Sequence, residues 1–125
     1  MIEKELTRAE EQIMQVLWQL EKGFVKDVID QLPTPKPAYN TVSTIIRILE
    51  QKGFVDHRAF GKTHEYFPKI MKEQYRSFAT EKLMTGYFEN SVSGLFSFFA
   101  KKNKVDLNDT DAILAMIQRM KAENQ

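Results

Sequence analysis

The feature that most constrains this chain is a change of period at Gly53. Upstream, in "AYNTVSTIIRILEQKG", Val42, Ile45, Ile46 and Leu49 recur at helical spacing with Ile48 at the margin, predicting a helix over roughly 38–52 closed by Gly53. Downstream, "FVDHRAFGKTHEYFP" loses that period. Phe54-Val55 and Tyr66-Phe67 flank a polar segment containing Gly61, the pattern of a two-stranded hairpin with Arg58, Lys62 and His64 near its tip. A one-sided helix followed at once by a hairpin needs other helices to pack on, and the preceding residues supply them. "LTRAEEQIMQVLWQL" predicts a first helix, with Thr7 as cap and Glu10 at capping-box spacing. Its apolar stripe is Ile13, Met14, Val16, Leu17 and Leu20, widened by Trp18. "EKG" predicts the stop, with Gly23 at positive φ. "VKDVIDQL" predicts a short second helix ending before Pro33, because the prolines of "PTPKP" forbid its continuation. Helix, helix, helix and hairpin is the order of a winged helix-turn-helix.

Beyond Pro68 the pattern is helical and rich in aromatics. Met71, Tyr75, Phe78, Leu83, Tyr87 and Phe88 share a broad stripe; Gly86, Asn90, Ser91 and Gly94 mark a break; Leu95, Phe96, Phe98 and Phe99 follow. A last helix is expected in "LNDTDAILAMIQRMK", capped by Asn108, with Ile113, Leu114, Met116, Ile117 and Met120 on its apolar face. Since the first 68 residues contain a core of their own, these faces need another partner. A symmetric dimer of interlocking helices is the economical solution. The residues expected at its interface are Tyr75, Phe78, Leu83, Tyr87 and Phe88, then Leu95, Phe96 and Phe99, then Ile113 and Ile117. A tail folded back on its own domain, leaving a monomer, is the alternative. The fold class is therefore mainly α, with a winged helix-turn-helix over 1–69 and a helical dimerisation domain over 70–125.

The third helix carries the functional signal. Its far side holds Asn40, Ser43, Thr44, Arg47 and Gln51 within an arc of roughly 100°. Small polar residues are poor helix formers beside Glu or Lys, so their clustering needs a reason. In a major groove Asn pairs with adenine, Arg with guanine, and Ser or Thr with base edges or phosphate. Arg47, with Asn40, Ser43 and Thr44, is expected to read bases. Tyr39 and Thr41, near the helix N-terminus, are placed for phosphates, as are Arg58 and Lys62 of the hairpin. The net charge of +1 hides a gradient. Residues 1–35 carry four Lys/Arg against seven Asp/Glu, residues 36–72 seven against three, and residues 73–125 seven against seven. The positive charge thus sits on the segment containing the third helix and hairpin. A winged-helix module that binds protein rather than DNA is the alternative.

Other classes find little footing. His57 and His64, seven positions apart, lack a familiar ligand spacing, and no nucleophile elbow or glycine-rich phosphate loop occurs. Neither an enzyme nor a metal or other cofactor is expected. Without cysteine there is no disulfide framework, thiolate site or cysteine nucleophile. No apolar run approaches the roughly 18 residues of a membrane span. The acidic N-terminus lacks the apolar segment of a secretory signal, so a cytoplasmic protein is expected.

"LTRAEEQIMQVLWQ", "NTVSTIIRILEQKGFVDH" and "HEYFP" together closely resemble the penicillinase-repressor family of bacterial regulators. The pattern E-x-x-I/V-M-x-x-L/I-W is met by Glu11, Met14, Leu17 and Trp18 with small shifts. The pattern T-V-x-T-x-x-x-x-L-x-x-K-G is met by Thr41, Val42, Thr44, Leu49, Lys52 and Gly53. The resemblance implies a dimeric winged-helix repressor of inverted-repeat operators. It places Thr41 and Thr44 on the recognition helix. Asn40 and Ser43 stand where basic residues are expected in well-known members, and Arg47 where a small or polar one is, so the operator should differ. In the resistance repressors a membrane-bound sensor protease cuts the dimerisation domain at an Asn–Phe bond. The aligned "GLFSFFAKKN" offers Phe98-Phe99 with no Asn before the bond, and the cysteine cluster of the copper-responsive branch is missing.

Overall fold

The computed structural model describes Ile2 and residues 5–124. Its elements are α1 (Arg8–Leu20), α2 (Val25–Gln31), α3 (Tyr39–Gln51), β1 (Val55–Phe60), β2 (Thr63–Pro68), α4 (Lys72–Tyr87), α5 (Val92–Lys101) and α6 (Leu107–Glu123). The chain forms two compact units, one ending at Thr80 and one beginning at Glu81, so α4 starts in the first and finishes in the second.

In the first unit, α1 opens on the expected capping box. Thr7 Oγ1 accepts from Glu10 N at 3.2 Å, and Glu10 Oε1 accepts from Thr7 N at 2.8 Å. The helix ends at Glu21, whose φ is 71°; Gly23, expected at positive φ, does other work. It pairs with Tyr66 as a one-residue strand, with N–H···O bonds of 2.9 and 2.8 Å in the two directions. A side chain at Gly23 would press on Asp27 Cβ at 3.3 Å. Asp27 in turn accepts from Phe24 N at 2.9 Å and so starts α2.

The core lies among α1, α2, α3 and the base of the hairpin. Met14, Leu17, Val28, Val42, Ile46, Leu49, Phe54 and Val55 are fully buried there. Burial at this level stabilises by about 1.5–3 kcal/mol for each large apolar side chain, which is why the periodic positions face one another. Gly53 takes φ 83° and turns the chain from α3 into β1.

One buried charge belongs to this core. Glu10 is only 5% exposed, and Lys52 Nζ donates to its two carboxylate oxygens at 2.7 and 2.9 Å. The motif glutamate that shapes the fold is therefore Glu10, not the exposed Glu11. Burial by itself would raise the Glu10 pKa. The Lys52 ammonium and the bonds from Thr7 outweigh it and hold the carboxyl below its ordinary 4.5.

The start of α4 is tied to the same core. Trp18 Nε1 donates to Ile70 O at 2.9 Å, and Tyr75 OH accepts from Leu6 N at 2.9 Å. The Tyr75 ring packs on Trp18, Phe54 and Phe78, with centroids 6.1, 5.8 and 5.6 Å away. Tyr75 and Phe78, grouped by sequence with the interface residues, thus sit in or against the first unit's own core. An aromatic at helical spacing does not reveal which of two cores it serves.

The second unit holds the rest of α4, with α5 and α6. The break expected between the helices falls at 88–91, with Glu89 and Asn90 at positive φ and Ser91 Oγ capping α5 through Gly94 N at 2.9 Å. The cap of α6 is Asp106, which accepts from Asp109 N at 2.8 Å; Asn108, the expected cap, lies inside the first turn. Among the described residues of this unit only Met84 is buried. Tyr87 is 80% exposed, Leu114 51% and Met120 59%. Leu95, Phe96, Phe99, Val105, Ile113 and Met116 line an apolar hollow of about 620 Å³ between α5 and α6.

Candidate nucleic-acid interface

Helix α3 presents two unlike sides because its buried stripe is narrow. With Val42, Ile46 and Leu49 inside, the period leaves Tyr39, Asn40, Thr41, Thr44, Arg47 and Gln51 exposed. Ser43 departs from the sequence expectation. It is only 6% exposed, and its Oγ accepts from Arg47 Nη2 at 3.2 Å. A hydroxyl placed there steers the guanidinium and is not itself open to a base. The margin of an apolar stripe is ambiguous in a sequence, since one residue is 100° of arc.

The N-terminus of α3 differs from the others. Thr7, Asp27, Gln74, Ser91 and Asp106 each supply a side-chain oxygen to a backbone N–H at the start of their helices. The N-cap of α3 is Ala38, with no side-chain cap. Its first N–H groups, next to the exposed Tyr39, Asn40 and Thr41, therefore keep their capacity for an outside acceptor.

The hairpin stands beside this helix as a wing. The strands pair from Val55↔Pro68 to Phe60↔Thr63, and Gly61 at φ 65° makes the turn that carries Lys62. A cleft of about 660 Å³ opens between the start of α2, α3 and the wing, lined among others by Phe24, Lys26, Tyr39, Arg47, Lys62 and Tyr66. Three cations and one carboxylate, Asp27, face it. Burial and the negative charge of Glu50 hold the Tyr66 hydroxyl above the usual phenol range, so it stays protonated. Arg58 does not line the cleft. It pairs in register with Glu65, and its guanidinium carbon lies 5.9 Å from the Phe60 ring centre.

The histidines also behave differently from their sequence reading. His64 is half-buried and stacks on His57, centroids 4.0 Å apart and planes within 8°. His57 Nδ1 lies 2.6 Å from Glu50 Oε2, while the backbone N–H of His57 donates to Asp56 Oδ1 at 2.7 Å. Glu50, Asp56 and His57 bring ligand-type atoms within 4.8 Å of one another. Sequence reasoning missed this grouping, because only the turn at Gly53 brings Glu50 of α3 to His57 of β1. The ring stack has a separate cause, the register Ala59↔His64, which sets His57 and His64 diagonally on one face of the hairpin.

Comparison with known proteins agrees with this geometry. The model of the penicillinase repressor family matches residues 6–119. The methicillin resistance regulatory protein MecI of Staphylococcus aureus is 17% identical over 116 residues, 92% of this chain and 94% of that protein. The penicillinase repressor of Bacillus licheniformis is 19% identical over 118 residues, 94% of this chain and 92% of the relative. Among solved structures, the DNA-binding domain of the repressor BlaI covers 57% of this chain and 88% of its own at TM-score 0.50 and 28% identity. The complex structure of hsRosR-S4 covers 98% and 95% at TM-score 0.57 and 14% identity, a likeness of fold alone. A winged helix followed by a helical unit, matched to one family model over nearly its whole length, places this chain in the penicillinase repressor family.

Proposed function

We propose that this chain is a cytoplasmic homodimer that represses transcription by occupying a palindromic operator. Its family consists of DNA-binding transcriptional repressors, and it is not an enzyme. One observation carries the finer reading: the exposed Asn40, Thr44 and Arg47 share a face of α3 that contributes nothing to the core. In the major groove Arg47 pairs with guanine, Asn40 with adenine, and Thr44 meets a neighbouring base edge. Tyr39, Thr41 and the uncapped N–H groups of α3 take a phosphate, Lys62 takes another across the cleft, and Arg58 follows the backbone from the outer side of the wing. Ser43 acts through Arg47.

The dimer is supported by the second unit, most of whose described apolar side chains are exposed, with Phe88, Leu95, Val105 and Ile113 half-buried. Leu83, Tyr87, Phe88, Leu95, Phe96, Phe99, Ile113 and Ile117 are the residues that a second copy covers. A two-fold dimer presents two α3 helices to half-sites about one helical turn apart. Among the described residues no helix is long and apolar enough to cross a membrane. Phe98-Phe99, the bond aligned with the one that a membrane-bound sensor protease cuts in the resistance repressors, lies inside α5, so a cut there requires the helix to unwind first.

The test is a fluorescence-anisotropy titration of the whole chain on duplex DNA from upstream of its own reading frame, beside a scrambled duplex at the same salt. Specific binding at least about a thousandfold tighter than to the scrambled duplex is expected. Equal binding to both removes operator recognition.

A further inference from the structure

A two-stranded hairpin is marginally ordered on its own. In this chain Arg58, Ala59, Phe60, Gly61, Lys62 and Thr63 of the outer wing are all exposed, and Phe60 meets the helices edge-on at Phe24, ring centroids 5.8 Å apart. One chain of side-chain contacts runs from α3 into this wing. The Glu50 carboxylate can only accept, so His57 Nδ1 carries the proton and donates to it across 2.6 Å. The His57 ring lies flat on His64, which pairs in register with Ala59 and stands two residues from Lys62. Both imidazoles also touch Tyr66, at centroid distances of 5.7 and 6.1 Å, and Tyr66 is pinned to Gly23 by two backbone hydrogen bonds.

We propose that His57 is a positioning residue for DNA binding, bracing the wing against the C-terminal end of α3 so that Lys62 and the polar face of α3 are presented as one surface. The proposal rests on the operator reading above. His57 reaches the DNA only through the groups it holds. Without it the wing samples other positions, and Lys62 meets its phosphate only in the fraction of molecules that keep the right one. His57 lies at the edge of the core, its side chain 30% exposed and touching only the outer side of it through Tyr66, so the effect of its removal is expected in the wing.

The experiment is a double-substitution cycle with His57→Ala and Lys62→Ala on the full-length chain, titrated by anisotropy against the upstream duplex at fixed salt. Each single substitution weakens binding. In the His57→Ala background, removing Lys62 costs at least about threefold less than it does in the parent. His57→Asn, which keeps a donor near the Nδ1 position, recovers part of the loss. Hydrogen–deuterium exchange on the same proteins gives a readout without DNA: exchange rises over residues 58–65 in His57→Ala while α1 and α2 keep their protection. Independent effects of the two substitutions, with unchanged wing exchange, overturn the brace. Loss of protection throughout the first unit also overturns it, since the residue is then merely structural. A parent that does not distinguish upstream from scrambled DNA defeats the operator reading and with it the DNA role of His57. Independent effects in a parent that does distinguish them defeat the brace alone.

Discussion

Replacing Lys52 by methionine keeps the length of the side chain and removes the charge that Glu10 depends on. The parent pair has two contacts, at 2.7 and 2.9 Å, with Glu10 nearly buried and Lys52 side chain 20% exposed. An exposed ion pair contributes about 0–1 kcal/mol, whereas breaking a fully buried one costs about 3–5 kcal/mol. This pair lies between, and Thr7 still donates to the orphaned carboxylate, so Lys52→Met should cost roughly 2 kcal/mol. For a domain of this size that lowers the melting temperature by roughly 8–16 °C. The loss depends on pH in a definite direction. The folded carboxyl titrates below its ordinary 4.5, so the parent's advantage is complete above that value. It fades as pH falls through the folded pKa, where Glu10 takes up a proton and no longer needs the ammonium. Urea unfolding followed by circular dichroism at pH 7 and again at acid pH measures both quantities. Glu10→Gln combined with Lys52→Met should recover stability over Lys52→Met alone, because no buried charge is then left unpaired. A Lys52→Met variant within about 0.5 kcal/mol of the parent at pH 7, or a deficit that does not shrink in acid, would refute the argument.

The remaining predictions concern other parts of the molecule. Lys62→Ala should weaken binding to specific and scrambled DNA alike and make the slope of log affinity against log salt shallower by about one; salt titrations check this. Tyr75→Phe deletes the acceptor of Leu6 N–H and should destabilise the first unit by about 1–2 kcal/mol in denaturant unfolding, with the dimer unaffected. Leu114→Glu paired with Phe99→Asp puts charges on the exposed faces of α6 and α5. Sedimentation should then report the 14.6 kDa single chain in place of a particle twice that mass.

The sequence makes the scaffold legible where one local rule decides the outcome. Thr7 and Glu10 can satisfy each other only at a helix start, and Gly53 follows a complete apolar stripe with a switch of period, so both were readable. Positions fixed by distant partners were not. Gly23 is small because Tyr66 pairs with it and Asp27 crowds it. Tyr75 is held by Leu6, 69 residues away. In "DLNDTD" several side chains can cap a helix, and the choice of Asp106 over Asn108 depends on where the preceding loop releases the chain. At the interface, the period alone exposes Asn40, Thr44 and Arg47, but it cannot show that Ser43 tucks beneath Arg47 or that His57 and His64 stack.

The central claim is that the outward side of α3 reads base pairs, and Arg47→Ala tests it most directly. Affinities of parent and variant for the upstream and scrambled duplexes should be measured at one salt concentration. The account predicts a loss of roughly 1–3 kcal/mol on the upstream duplex beyond any loss on the scrambled one, with the dimer intact. Equal affinities of variant and parent, or equal losses on both duplexes, would contradict it.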